Sequence, residues 1–235
     1  MREYCIVILN RFPELAHSCI TSIVRCHKHL PSILVVCDRH QVALDDCMQR
    51  YLPGPFVFAK NVNVGFDSFP DSDIVLLNDD TTCVQEDFFP RLQEIAYKNP
   101  LCGILSPLID GGVGNELQQY PEVNVWKQIK TSEIILPDRT ICFPCAYIKR
   151  ELIERIGGLD ETFIGYGFDD DDYCIRAREV GWYTMITRSL RIQHGSGGNQ
   201  LFRGSNWSSS FARLENQPES NIERFLAKYP KFRNK

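Results

Sequence analysis

Asp73-Ile74-Val75-Leu76-Leu77-Asn78-Asp79-Asp80 decides how this chain is read. Consecutive apolar residues bounded by polar ones read as a strand buried on both faces, and such strands belong to parallel sheets covered by helices. Tyr4 to Leu9 and Ile33 to Cys37 are runs of the same kind, ending at Asn10-Arg11 and Asp38-Arg39, and Phe56 to Ala59 reads as another strand. Between them, Pro13 to His29 carries Leu15, Cys19, Ile20, Ile23 and Val24 at the three- and four-residue spacing of an amphipathic helix. Gln41 to Tyr51 and Glu86 to Asn99 read as further helices, stopped by Pro53-Gly54-Pro55 and by Pro100. This βαβαβ succession predicts an α/β fold with a mostly parallel central sheet and helices on both faces. Ligands of such sheets bind beyond the carboxyl ends of the strands. The positions to inspect are therefore Asn10-Arg11, Asp38-Arg39, Asn61 to Asp67 and Asn78-Asp79-Asp80.

The second half is less regular. Gly111 to Gly114 reads as a loop, and Ile134 to Leu136 and Thr140 to Ile148 as strands. Lys149 to Ile156 reads as a helix closed by Gly157-Gly158, and a second helix runs from about Asp170 to Val180. Trp182 to Thr187 and Leu190 to Gln193 read as two short strands, and Ser220 to Tyr229 as a closing helix. Residues 195–210, glycine-rich and containing Phe202, Arg203 and Trp207, read as a lid or as a free surface loop. Trp126, Trp182 and Trp207 are candidates for stacking on a sugar ring, with core packing the alternative for Trp182.

The composition bounds the function. The 235 residues are 43% hydrophobic and 24% charged, enough to bury a sizeable core in one domain. A net charge of -4 gives no bulk electrostatic reason to bind nucleic acid. The ten cysteines are scattered, several within apolar runs, and Cys142-Phe143-Pro144-Cys145 lacks the second pair that a zinc site needs. With no secretory-type segment at the start, this points to a reducing, cytoplasmic compartment. No run approaches the length of a transmembrane helix, which leaves peripheral contact as the expected form of any membrane association.

Three groups carry candidate chemistry. Asn78-Asp79-Asp80-Thr81 follows a buried strand, where oxygen ligands suit Mg²⁺ or Mn²⁺ bridging to substrate phosphates; a polar turn capping the strand is the other reading. Asp169 to Asp172 form a run of four carboxylates behind Gly165-Tyr166-Gly167-Phe168. Four like charges need a cation, a helix N-terminus or a proton-transfer task to hold them together, or else they form a solvated acidic loop. Asp172 and Arg176 are spaced to pair along a helix face, and one of the other carboxylates could be a general base. His194 precedes Gly195-Ser196-Gly197-Gly198 and reads as a structural histidine or a metal ligand. A P-loop or dinucleotide glycine cradle is missing, which argues against kinases and nicotinamide-dependent dehydrogenases.

Taken in order, these segments resemble family 2-like glycosyltransferases with the GT-A fold, a Rossmann-like nucleotide-diphospho-sugar transferase fold. The likeness runs from Cys5 to about His194. Ile6 to Arg11 resembles that family's first strand and turn, and Leu34 to Asp38 its second strand, ending in an aspartate that commonly contacts the nucleotide base. Asn61-Val62-Asn63-Val64-Gly65-Phe66 resembles its Asn-x-Asn-x-Gly segment. Asn78-Asp79-Asp80 resembles its Asp-x-Asp metal motif, with Asn78 in place of the first aspartate. Ile156 to Phe163 resembles the Gly-Gly-hydrophobic-Asp-Glu-x-Phe block of the acceptor half. Asp169 to Arg176 resembles Glu-Asp-x-Asp followed by Arg, with Asp169 where Glu is usual.

The resemblance implies a single domain, residues 1–235, with a nucleotide-sugar half at 1–100 and an acceptor half at 101–235. It implies Asp170 as catalytic base, Asp80 and His194 as ligands of Mn²⁺ or Mg²⁺, and Asn10, Arg11, Asp38, Asn61, Gly65, Asn78 and Asp79 as the donor-binding set. The implied activity is an inverting hexosyl or deoxyhexosyl transfer in glycan biosynthesis, from a nucleotide-diphosphate sugar to a glycan or other hydroxyl acceptor. A sugar nucleotidyltransferase is the competing enzyme class. A metal-dependent sugar-binding module is the non-catalytic one.

Overall fold

The computed structural model describes residues 1–37, 47–111, 115–120, 133–138, 140–195 and 221–233. Elements follow in chain order as β1 (Tyr4–Asn10), α1 (Pro13–Cys26), β2 (Ile33–Cys37), β3 (Met48–Tyr51), α2 (Phe58–Ser68), β4 (Asp73–Asn78) and β5 (Thr81–Cys83). Then come α3 (Phe88–Lys98), β6 (Cys102–Asp110), β7 (Gln119–Tyr120), β8 (Ile134–Ile135), β9 (Cys145–Ile148), α4 (Arg150–Ile156), α5 (Asp169–Glu179), β10 (Tyr183–His194) and α6 (Asn221–Lys228).

The described strands form one sheet in the order β3-β2-β1-β4-β9-β6-β10-β5, with β7 beside β6 and β8 beside β10. Successive side chains of a strand point to opposite faces, and here each face has its own core. Val7, Leu9, Leu34, Val36, Ile74 and Leu76 pack with α2, α4 and α5 through Val62, Phe66, Leu152 and Tyr173. Ile6, Ile8, Ile33, Val35, Val75 and Leu77 pack with α1 and α3 through Cys19, Ile23, Phe88 and Leu92. Helices therefore cover both faces, and the apolar runs of β1, β2 and β4 are continuous because neither face meets water.

Four readings of the sequence change. The sheet is mixed: among the described residues five pairings are parallel and four antiparallel, two of these from β9 between β4 and β6 and two from β5 and β8 against β10. Phe56 to Ala59 does not form a strand; Phe58, Ala59, Val62 and Phe66 recur at helical spacing and are buried together in α2. Residues 48–51 of the expected second helix form β3, paired parallel with β2; residues 41–46 of that reading lie outside the described residues. The two short strands near the end are one, β10, with a register shift between Thr187 and Arg191.

That shift explains a strand the sequence hides. β6 contains Gly103 and Pro107, both poor central-strand residues, yet it pairs with β9 and β10. Pro107 has no N–H to give the ladder, and it sits opposite Thr187 where β10 bulges away.

Candidate active site

The site lies along one edge of the sheet. β10 runs parallel to β6, and β6 and β4 each run antiparallel to β9, so the carboxyl ends of β4, β6 and β10 emerge together. The end of β1 joins them through its parallel pairing with β4.

At the end of β1, Asp79 organises the turn into α1. Its Oδ2 accepts hydrogen bonds from Arg11 N (2.7 Å), Phe12 N (2.8 Å) and Asn10 Nδ2 (3.3 Å). These three donors tie the Asp79 side chain to the start of α1. The Arg11 guanidinium lies near the rings of Phe56 (5.7 Å) and Tyr166 (6.0 Å), and these rings stack at 4.6 Å. Arg11 Nε is buried without a hydrogen-bond partner.

Next along the edge, β5 turns back to pair with the end of β10, setting Thr81 opposite His194. This brings Asp80 Oδ1 to 3.4 Å from His194 Nε2. Both side chains keep contact with solvent, at 28% and 19% exposure. Gly195 N–H donates to the Asp80 carbonyl at 3.0 Å, tying the two backbones as well. Gly111, just past β6, completes the corner: a Cβ there would lie 2.0 Å from the His194 carbonyl oxygen. Among the described residues, no group of three or more His, Cys, Asp or Glu side chains is placed to hold a metal ion.

The four aspartates open α5, and they differ sharply. Asp172 is fully buried and paired: Oδ2 meets Arg176 Nε at 2.8 Å, as the spacing predicts, and Oδ1 meets Lys228 Nζ at 2.6 Å and Tyr229 OH at 2.7 Å. Asp169 is 2% exposed, accepts from Gly167 N–H at 3.2 Å on Oδ1, and leaves Oδ2 buried without a partner. Desolvation lifts its carboxyl to about 7. Asp170 is half-buried, and its Oδ1 accepts from Asp171 N–H at 2.9 Å. Desolvation, then the neighbouring Asp169 and Asp171 charges, push its carboxyl well above the usual range. Asp171 is raised by desolvation against a hydrogen bond from Thr140 Oγ1. The helix is entered through Phe168 in the left-handed region (φ 68°), which costs a non-glycine residue about 1–2 kcal/mol.

A family model described as the N-terminal domain of galactosyltransferase matches residues 128–194. An uncharacterized protein, y4gI, of Sinorhizobium fredii (strain NBRC 101917 / NGR234) is 34% identical over 50 residues, 21% of this chain and 6% of that protein. Among solved structures, two resemble nearly all of the chain. GalNAc-T7, crystallised with UDP, GalNAc and Mn²⁺, matches with a TM-score of 0.65 at 14% identity, over 100% of this chain and 52% of that one. The mannosyltransferase PcManGT from Pyrobaculum calidifontis, in complex with GDP-Man and Mn²⁺, matches with a TM-score of 0.63 at 14% identity, over 96% and 68%. The chain has the GT-A fold.

On this GT-A sheet the residues singled out by sequence fall into three sets. Asn10, Arg11, Asn78, Asp79, Asp80 and His194 share the edge formed by the carboxyl ends of the strands, with Asn10 2% exposed and bonded to Asp79. Asp170 stands at the start of α5. The Asn-x-Asn-x-Gly segment is helical. Asn63 Nδ2 donates to Leu159 O (3.0 Å) and Glu161 Oε1 (2.8 Å), and its Oδ1 accepts from Leu159 N (2.8 Å), so it fastens α2 to the segment that follows α4. Gly65 faces Val7, whose Cγ1 would lie 2.6 Å from an added Cβ, and its place in the GT-A fold is the close packing of α2 on β1. Asn61 is 2% exposed with Nδ2 unpartnered. Asp38, Trp126, Trp207 and the 196–210 part of the expected lid lie outside the described residues. Sequence reasoning missed Thr140, Lys228, Tyr229 and Asn221; only their contacts across the GT-A fold reveal them.

Proposed function

We propose that the chain is a metal-dependent, inverting glycosyltransferase that moves a sugar from a nucleotide-diphosphate sugar to a hydroxyl of a glycan or other acceptor. The observation that carries this is the Asp80–His194 pair, 3.4 Å apart at the ligand edge of a GT-A sheet. A carboxylate and an imidazole, both still reached by solvent, fit a divalent ion that takes its remaining ligands from phosphate and water. Asp80 and His194 would hold Mn²⁺ or Mg²⁺; the structural neighbours were captured with Mn²⁺ and with UDP or GDP-Man. When bound, the ion offsets the charge that develops on the departing diphosphate.

The chain's own groups supply the rest. Asn10, Arg11, Asp79 and Asn78 floor the nucleotide side, with Asp38 and Asn61 completing the donor set and Gly65 serving it through the packing of α2 on β1, within the donor half, residues 1–100. The acceptor half, residues 101–235, presents Asp170. Its carboxylate takes the proton of the acceptor hydroxyl, the oxygen attacks the anomeric carbon, and the bond to the diphosphate breaks on the opposite side, inverting the centre. Its raised pKa makes it a stronger base than an ordinary aspartate, active once pH exceeds that pKa. All ten cysteines are free thiols, which suits a reducing compartment such as the cytoplasm. Among the described residues, no helix is long and apolar enough to cross a membrane.

Asp170→Asn should lower transfer by about 10²- to 10⁴-fold and leave donor binding intact. Transfer rates and donor affinity measured side by side decide this; near-normal turnover in the variant removes Asp170 from the role of base. Release of a nucleoside diphosphate, and not pyrophosphate, separates the reading from nucleotidyl transfer.

A further inference from the structure

The acid run is held from outside as well as by its own bonds. The loop ahead of it carries Gly165, Gly167 and Phe168 at φ 72°, 103° and 68°. Glycine adopts that region freely, but Phe168 stays there only while its surroundings impose it. The groups that do so come largely from α6. Asn221, its first residue, reads the loop backbone: Oδ1 accepts from Ile164 N (3.0 Å), and Nδ2 donates to the carbonyls of Ile164 (2.8 Å), Tyr166 (3.1 Å) and Gly167 (3.1 Å). An amide has two N–H bonds for these three carbonyls, so one is shared. Phe225 packs on the Phe168 ring at 5.0 Å between centroids. At the far end, Lys228 Nζ and Tyr229 OH hold Asp172 Oδ1.

α6 thus grips the acid run on both sides of Asp170, ahead through the loop and behind through Asp172. A helix that only covered apolar surface would need Phe225 and Tyr229, which already cluster with Phe163 and Ile175. The carbonyl-by-carbonyl match of Asn221 exceeds that need. We infer that Asn221 is a positioning residue, fixing the strained backbone from which Asp170 emerges and so setting the aim of the base. This rests on the reading of Asp170 as the base of a glycosyl transfer.

The test compares wild type with Asn221→Ala, Asn221→Ser and Tyr229→Phe in sugar transfer from a panel of UDP- and GDP-sugars with Mn²⁺. Asn221→Ala should lower kcat by about ten- to a hundredfold, the scale of a ~1 Å misplacement. Donor KM and donor-dependent Tm shift should stay within about twofold of wild type, and the acidic limb of the pH–rate profile should move. Asn221→Ser, which keeps one donor and one acceptor, should recover part of the loss. Tyr229→Phe, which keeps the ring and loses its bond to Asp172, should lower kcat by a smaller factor at constant donor KM. If Asn221→Ala does not fold, the other two variants carry the test. Folded variants with unchanged kcat and pH profile overturn the inference, as does a loss shared equally with donor binding. Failure of the underlying reading looks different: wild type turns over no donor, or Asp170→Asn works normally, and the inference then falls with it.

Discussion

Asp169 is the residue whose chemistry departs furthest from its place in the sequence pattern. It stands at the start of α5 with one carboxylate oxygen buried without a partner. Burial lifts its carboxyl from the ordinary range to about 7. The folded chain therefore keeps a proton that the unfolded chain releases from about pH 4 upward. Stability from this group is fully present below the unfolded pKa and is lost as pH rises through about 7. Asp169→Asn keeps the acceptor for Gly167 N–H and removes the titration. The variant should be more stable than wild type at about pH 8 and should match it at about pH 4. Denaturant unfolding across that range reads the difference; parallel wild-type and variant curves would show that Asp169 does not titrate there. The sequence could pair Asp172 with Arg176 from spacing alone. It could not rank the other three aspartates, because burial and a lone oxygen are properties of the fold.

Among the elements, β1, β2 and β4 were legible and the strands that complete the sheet beside them were not. β1, β2 and β4 are continuous apolar runs with both faces covered, and nothing competes with that signal. β6 carries Gly103 and Pro107, β5 is three residues long, and β10 bulges, so each breaks the pattern by which strands are found. Yet β5 and β10 are what bring Asp80 to His194. Gly111 shows how tightly that corner is built. It takes φ +134°, and any Cβ would meet the His194 carbonyl oxygen at 2.0 Å. Gly111→Ala should force the end of β10 aside, costing about 1–3 kcal/mol of stability as overpacking does, and should weaken Mn²⁺ binding. Denaturation midpoints and Mn²⁺ titration of the variant check both effects; a variant with wild-type Mn²⁺ affinity would uncouple this corner from the metal.

For the whole molecule, the two sequence halves are one sheet, with β9 inserted between β4 and β6 and β5 carried over to β10. Smaller contacts bolt the halves together beside the site: Phe58 N–H donates to Gly165 O at 2.9 Å, and Asn63 grips Leu159. The proposed base and the proposed metal pair are thus set on one scaffold, which is what transfer between two bound substrates needs. The most direct test is a thermal-shift titration of UDP- and GDP-sugars with Mn²⁺, with EDTA, and with Asp80→Ala. A donor at about a hundredfold over its Kd adds ~2.7 kcal/mol, or roughly 5–10 °C in Tm for a chain of this size. The expected result is stabilisation by one donor class that requires Mn²⁺ and disappears in Asp80→Ala. Stabilisation that persists in EDTA, or survives Asp80→Ala unchanged, contradicts a donor site built around Asp80 and His194.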